Sequence, residues 1–183
     1  EARQGEPFVG QAGKLLTELL RGIGLTRGDV YIANVVKCRP PENRDPTPEE
    51  IEVCSSHLMK QIAIIRPKVV CTLGRFATKL LAGTDLSMTA IHGKAKAQEL
   101  SGVDTIIFPV FHPAAALYTP ANRKVLEEDF GKLRRLLDLG PEALGVSAAA
   151  PGAGDDTAGG SSTGEPSARS RPSSPKAEQL PLW

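Results

Sequence analysis

Three short apolar runs, each followed by a stretch of helical periodicity, constrain this chain more than any other feature. Val30–Val36, Val69–Leu73 and Thr105–Phe111 are rich in Val, Ile and Phe and are bounded by turn residues. Each therefore reads as a buried strand. Before the first, Ala12, Leu15, Leu16, Leu19, Leu20 and Ile23 recur on one helical face, and Gly22 and Gly24 close it. Between the first and second, Thr47 is a good N-cap and Pro48 suits the first helical position. Glu49, Glu50 and Glu52 favour the positive end of that helix, which is predicted to run to about Ile65. A short helix is predicted over Phe76–Leu81. A long one over Asn122–Leu139 places Val125, Leu126, Phe130, Leu133, Leu136 and Leu137 on one face. Residues 83–104 read as irregular, with Ile91–Lys94 a turn between short strands. Strands alternating with helices predict an α/β fold with a mostly parallel sheet covered on both faces.

In such a sheet, ligands bind beyond the carboxyl ends of the strands. Two polar side chains fall there. Asn34 lies near the exit of the first run, and His112-Pro113 follows the third. An amide carries an acceptor and two donors, enough to match the edge of a pyrimidine base. It is also an ordinary cap of local backbone. His112 is a candidate catalytic donor or a structural hydrogen-bonder. Phe8 can stack on a base or serve as a core or hinge aromatic. Cys38 and Cys54 lie sixteen residues apart, which is not zinc-finger spacing, and two thiolates do not complete a tetrahedral site. Cys71 reads as a small buried hydrophobe within its strand. No P-loop, GxGxxG or HExxH motif is present.

Composition divides the chain. Residues 1–140 suffice for one domain with a core. They hold 19 basic and 16 acidic side chains, against 3 and 5 in the remainder. This mild positive excess permits nucleic-acid contact without requiring it. Residues 141–178 are dominated by Ala, Gly, Ser, Pro, Thr and Asp, which bury too little apolar surface to offset ordering entropy, and are predicted to be a disordered linker. The chain then changes character at Gln179-Leu180-Pro181-Leu182-Trp183, its only tryptophan standing last. Apolar residues at the end of a solvated tether suggest a docking peptide. With no transmembrane-length run and no signal peptide, the expectation is a cytoplasmic, nucleoid-associated protein, with nothing that demands an oligomer. The chain opens on Glu1 rather than Met, and its natural start is expected upstream.

Taken together, the motifs resemble a known family. Gly5-x-Pro7-Phe8-Val9-Gly10-x-Ala12-Gly13, Asn34-Val35-Val36-Lys37-Cys38-Arg39-Pro40-Pro41, Cys54, Leu73-Gly74 and His112-Pro113-Ala114 occur in the order seen in the family-four, iron–sulfur uracil-DNA glycosylases. The resemblance covers residues 1 to about 138. It implies a three-layer α/β/α sandwich whose first strand is missing from this chain. It also implies hydrolysis of the bond between uracil and deoxyribose in DNA, on a base flipped out of the stack. By the same resemblance, Phe8 stacks on uracil, Asn34 reads its edge, and His112 donates to the departing base. Arg123 and Lys124 are implied phosphate contacts. Cys38 and Cys54 match two of four ligands to a 4Fe-4S cluster. The other two cysteines of the family, and a Gly-Glu-Ala-Pro-Gly phrase that positions water, lie upstream of where this chain begins. A covalently trapping relative carries a Lys-Arg-Arg-Ile-His insertion that residues 39–53 lack, so hydrolytic turnover is expected.

Two other classes remain open on sequence grounds. One is a non-catalytic, clamp-tethered DNA-binding module. The other is a zinc or redox protein using Cys38, Cys54 and Cys71. Gln179, Leu180, Leu182 and Trp183 resemble the peptide that binds the bacterial sliding clamp, on a tether with a reach on the order of 30–40 Å. Deleting residues 179–183 is expected to abolish clamp binding in a pull-down while leaving uracil excision unchanged. Unaltered capture by the deletion variant would remove the docking role.

Overall fold

The computed structural model describes residues 7–37 and 44–145. Among these, six α-helices surround a three-stranded mixed sheet. In chain order they are α1 (Gln11–Gly22), α2 (Pro48–Ile65), β1 (Val69–Leu73), α3 (Arg75–Ala82), α4 (Met88–Ile91), β2 (Lys96–Leu100), β3 (Val103–Val110), α5 (Pro113–Tyr118) and α6 (Pro120–Leu139). Strand order is β1-β3-β2. β1 runs parallel to β3, with Leu73 opposite Val110. β2 runs antiparallel to β3, with Leu100 opposite Val103.

β3 divides the core by the alternation of its side chains. Phe108 and Val110 enter one cluster with Leu15, Leu16, Leu19 and Leu20 of α1 and with Leu126, Phe130, Leu133 and Leu136 of α6. Ile107 enters the other, with Leu58 and Ile62 of α2 and Leu81 of α3. Helices therefore lie on both faces, as the alternating pattern predicts. Burying Phe108 and Phe130 alone contributes about 1.5–3 kcal/mol per side chain.

Two features of the sheet depart from expectation. Val30–Val36 forms no ladder among the described residues. Val30 leaves a 3-10 turn (Arg27–Asp29) in extended backbone, and the residues after it stay outside the sheet. β-branched side chains favour extended backbone, but a strand exists only where a second backbone pairs with it. The run instead lines a cavity of about 570 Å³, and β1 contributes to the same lining. The second departure is β2: a short strand is expected after the 91–94 turn, but within a stretch read as irregular and not as part of the sheet. Its Lys-Ala-Gln-Glu-Leu sequence lacks apolar alternation because it is an edge strand with Lys96 and Glu99 in solvent. Its hairpin turns on Ser101 and Gly102, both at positive φ (52° and 74°), as a two-residue turn of matching twist requires. The sheet is consequently mixed rather than mostly parallel. Sequence reasoning also missed the short helices α4 and α5, while α1, α2, α3 and α6 lie within a few residues of prediction. The described chain continues past residue 140 through a 3-10 turn, Pro141–Leu144. Linker residues 146–178 and the peptide Gln179–Trp183 lie outside the described residues. No helix among the described residues is long and apolar enough to cross a membrane.

The start of α2 is the best-defined polar junction. Thr47 and Glu50 form a capping box, each side chain serving the other's backbone N–H. Arg44 donates two hydrogen bonds to Glu50, at 2.7 and 2.8 Å. These bonds, with the Thr47 N–H, lower the Glu50 carboxyl to about 2. A depressed carboxyl contributes order above its ordinary value of 4.5 and loses it as pH falls through the folded value. Carboxyl-detected NMR is expected to show Glu50 titrating near 2, with the α2 first turn fraying progressively as pH falls from about 4.5 through that value. Glu50→Gln should fray the same turn at neutral pH. A Glu50 midpoint at the ordinary value would show that the cap does not form in solution.

Candidate active site

The parallel β1–β3 ladder delivers two turns to the same end of the sheet. β1 ends at Gly74, whose φ of 81° suits a residue without a Cβ. The Gly74 N–H donates to the Val110 carbonyl at 2.9 Å. Thr78 donates its hydroxyl to the Gly74 carbonyl at 2.8 Å, so in the buried Thr72–Thr78 pair, also at 2.8 Å, Thr72 is the donor. A Cβ on Gly74 would stand 3.0 Å from the Cβ of His112. The Leu73-Gly74 pair therefore sets how closely β1 approaches the histidine.

His112 caps α5. Its Nδ1 accepts the Ala114 N–H at 3.1 Å. An imidazole nitrogen that accepts has no proton, so in the neutral ring the proton resides on Nε2. The cap thereby defines His112 as a hydrogen-bond donor through Nε2. Phe8 stacks on the His112 ring, with centroids 5.4 Å apart and planes at 28°.

Phe8 holds a left-handed backbone, φ 56°, uncommon for an aromatic residue. Two residues that sequence reasoning overlooked support it. Arg27 donates to the carbonyls of Pro7 (2.8 Å) and Phe8 (3.3 Å). Gly13 brings the first turn of α1 so close to the Phe8 carbonyl that a Cβ there would overlap it. The sequence signal for the second was the Gly-x-Pro-Phe-Val-Gly-x-Ala-Gly spacing itself, in which the last glycine stands on a helix with no turn to explain it.

Asn34, Phe8 and His112 line the same 570 Å³ cavity, together with Arg75 and Cys71. Asn34 is half-buried, and its main-chain carbonyl accepts from Lys37 Nζ at 2.7 Å. Lys37 also donates to Gln61 of α2 at 3.0 Å. Arg75 bonds Asp45 at 2.6 Å and covers the Phe76 ring at 4.5 Å, tying the chain before α2 to the Gly74 turn. The two implied phosphate contacts differ. Lys124 is exposed, whereas Arg123 is engaged by Glu18 (3.1 Å) and Glu127 (3.0 Å), so a phosphate there competes with two carboxylates.

The cysteines fall into different settings. Cys54 is half-buried in α2; burial lowers the Lys37 ammonium's pKa, and the nearby Cys54 partly opposes this. Lys37 directly precedes Cys38, which lies outside the described residues. Cys71 sits in β1, its thiol pushed up to about 12 by burial and by the Asp129 carboxylate, and so stays protonated. Among the described residues no three His, Cys, Asp or Glu side chains gather to hold a metal. With Cys71 set aside, three cysteines leave two thiolates, which do not by themselves satisfy a four-iron cluster.

Comparison with known proteins decides the family. Residues 1–134 match the model of the uracil DNA glycosylase superfamily. The chain belongs to that superfamily. Within it, the chain groups with the type-4 enzymes. It is 52% identical over 141 residues to the type-4 uracil-DNA glycosylase of Sulfurisphaera tokodaii, covering 74% of this chain and 64% of that protein. It is 51% identical over 140 residues to the type-4 uracil-DNA glycosylase of Archaeoglobus fulgidus, covering 74% and 70%. The corresponding protein of Thermotoga maritima is 46% identical over 140 residues, covering 75% and 71%. The matched stretch thus spans about two thirds of the relatives' own length.

The Gly13 contact yields a test. Gly13→Ala must displace either α1 or the Phe8 carbonyl. It is expected to lower stability by about 1–3 kcal/mol in denaturant unfolding, and to break the Phe8–His112 stack, seen as altered His112 ring shifts by NMR. Unchanged stability and shifts would show that the close approach is not maintained in solution.

Proposed function

We propose that this chain carries the catalytic face of a uracil-DNA glycosylase acting in base-excision repair. The observation that supports this most is the fixed tautomer of His112, which presents an Nε2–H donor on the cavity shared with Asn34 and Phe8. The reaction adds water to the sugar carbon, breaks its bond to the base, and gives free uracil and an abasic site. Negative charge gathers on the departing uracil while the sugar becomes oxocarbenium-like, by analogy with other glycosyl transfers. A donor held in place by its own helix cap stabilises that charge without reorganising. Asn34 can pair its amide with the edge of a flipped pyrimidine, and the Phe8 ring presents an aromatic surface beside it. The competing reading, a DNA-binding module without catalysis, is separated by the test below.

The cavity supports a finer reading of the architecture, a three-layer α/β/α sandwich with a further strand between Val30–Val36 and β1. The slot suits one: its walls are largely apolar, β1 has no second partner among the described residues, and Ile65 and Leu137 at its margin are 44% and 43% exposed. The relatives carry sequence beyond the matched stretch that is available to supply this strand. The same additional sequence would have to supply two thiolates to complete, with Cys38 and Cys54, the iron–sulfur site of the resemblance. When bound, such a cluster ties the segment after Asn34 to α2. No proton or bond in the excision step passes through it. The clamp-docking role of Gln179–Trp183 rests on sequence alone.

Asn34→Ala and His112→Ala are expected to slow single-turnover uracil release by about 10²-fold, the usual effect of removing one fixed donor. Affinity for uracil-containing DNA should change much less. Equal losses in binding and release would favour the binding module.

A further inference from the structure

Asp129 is buried within α6 with no exposed surface, yet it carries a carboxylate. Both its oxygens are used. Oδ2 lies 2.6 Å from His92 Nδ1, and Oδ1 accepts from Lys132 Nζ at 2.7 Å. His92 begins the turn after α4, thirty-seven residues away. Gly93, at φ 66°, presses its backbone so closely against the carboxylate and Lys132 that a side chain there would overlap both. Its N–H donates to the Pro109 carbonyl of β3 at 2.7 Å. A buried charge is retained only when it is fully paired, and here the pairing anchors one particular turn.

That turn leads to the active site. The His92 ring packs on Phe111, with centroids 4.8 Å apart and planes at 40°. Phe111 is the single residue between the end of β3 and His112. The contacts are therefore continuous: Asp129 holds the His92 ring, the ring braces Phe111, and Phe111 carries the backbone into His112. The excision chemistry assigned above makes no other use of His92 or Asp129.

We propose that His92, oriented by Asp129, is a positioning residue that sets the His112 donor through Phe111. The proposal rests on the glycosylase reading for its kinetic consequence but not for its structural one. The imidazole is held by one nitrogen, so its ring plane is fixed against Phe111. Without that brace Phe111 can rotate, and a donor displaced by a fraction of an ångström loses much of its effect on the transition state.

The test has two readouts. In single-turnover uracil release, His92→Ala and Asp129→Asn are expected to lower the maximal rate on the order of ten-fold, with half-saturation by DNA nearly unchanged. Adding imidazole to His92→Gly should restore part of the rate. In ¹⁵N-detected imidazole spectra of the DNA-free protein, the His112 signals should move in His92→Ala and in Asp129→Asn. His92→Phe keeps a ring against Phe111 but loses the Asp129 bond, and should shift His112 less than His92→Ala. If the whole wild-type protein releases no uracil, the glycosylase reading fails while the spectra still judge the brace. Wild-type His112 signals in both His92→Ala and Asp129→Asn would overturn the proposal. So would a release defect confined to half-saturation. Should His92→Ala fail to fold, the more conservative Asp129→Asn carries the spectral test.

Discussion

The site depends on the parallel pairing of β1 with β3. With Leu73 opposite Val110, Gly74 follows β1 directly and His112 follows β3 by one residue, so the two come side by side, a Cβ on Gly74 standing 3.0 Å from that of His112. Everything chemically distinctive is arranged around that juncture. Thr72 and Thr78 fix the Gly74 turn from beneath, α5 starts on the histidine, and Phe8 closes over its ring. A one-residue slip in this ladder would exchange the two faces of the strand, because side chains alternate along it. Phe108 and Val110 would then leave the α1/α6 core, and the register is correspondingly firm.

Much of this arrangement was legible in the sequence because it rests on local chemistry. Thr47-Pro48-Glu49-Glu50 carries its helix start in side-chain donors and acceptors three residues apart. The apolar runs at 69–73 and 105–111 announce strands, and the polar residue after the second marks a site. What was illegible depends on partners distant in sequence or on the absence of one. Val30–Val36 has strand composition, but pairing is a property of two segments. Lys96–Leu100 has the reverse problem: its polar composition left the short strand expected after the 91–94 turn without a range or a partner, which the Ser101-Gly102 turn could have supplied. Arg27, Gly13 and the Asp129–His92 pair left no periodic trace, since their roles arise from contacts 5 to 37 residues apart.

The charged groups divide by burial rather than by number. Arg44–Glu50, Arg134–Asp138 and Arg123 with its two carboxylates are exposed, and solvent and salt screen them. Asp129 is different in kind. Removing either of its partners would leave charge in a dry interior, so this cluster constrains the positions of α6 and the 91–94 turn far more than the surface pairs constrain theirs. Its field also reaches Cys71, which helps keep that thiol protonated and unreactive within the cavity wall.

The left-handed backbone of Phe8 has a consequence for recognition. An aromatic ring on a loop ordinarily samples many orientations, and a ligand that stacks on it must bear the entropy of selecting one. Here the guanidinium of Arg27 and the bare face of Gly13 impose the orientation while the chain folds, before any ligand arrives. The conformational cost is thus charged to stability instead of affinity. A residue nineteen positions along the chain, outside the cavity lining, can in this way govern how tightly a ligand is held.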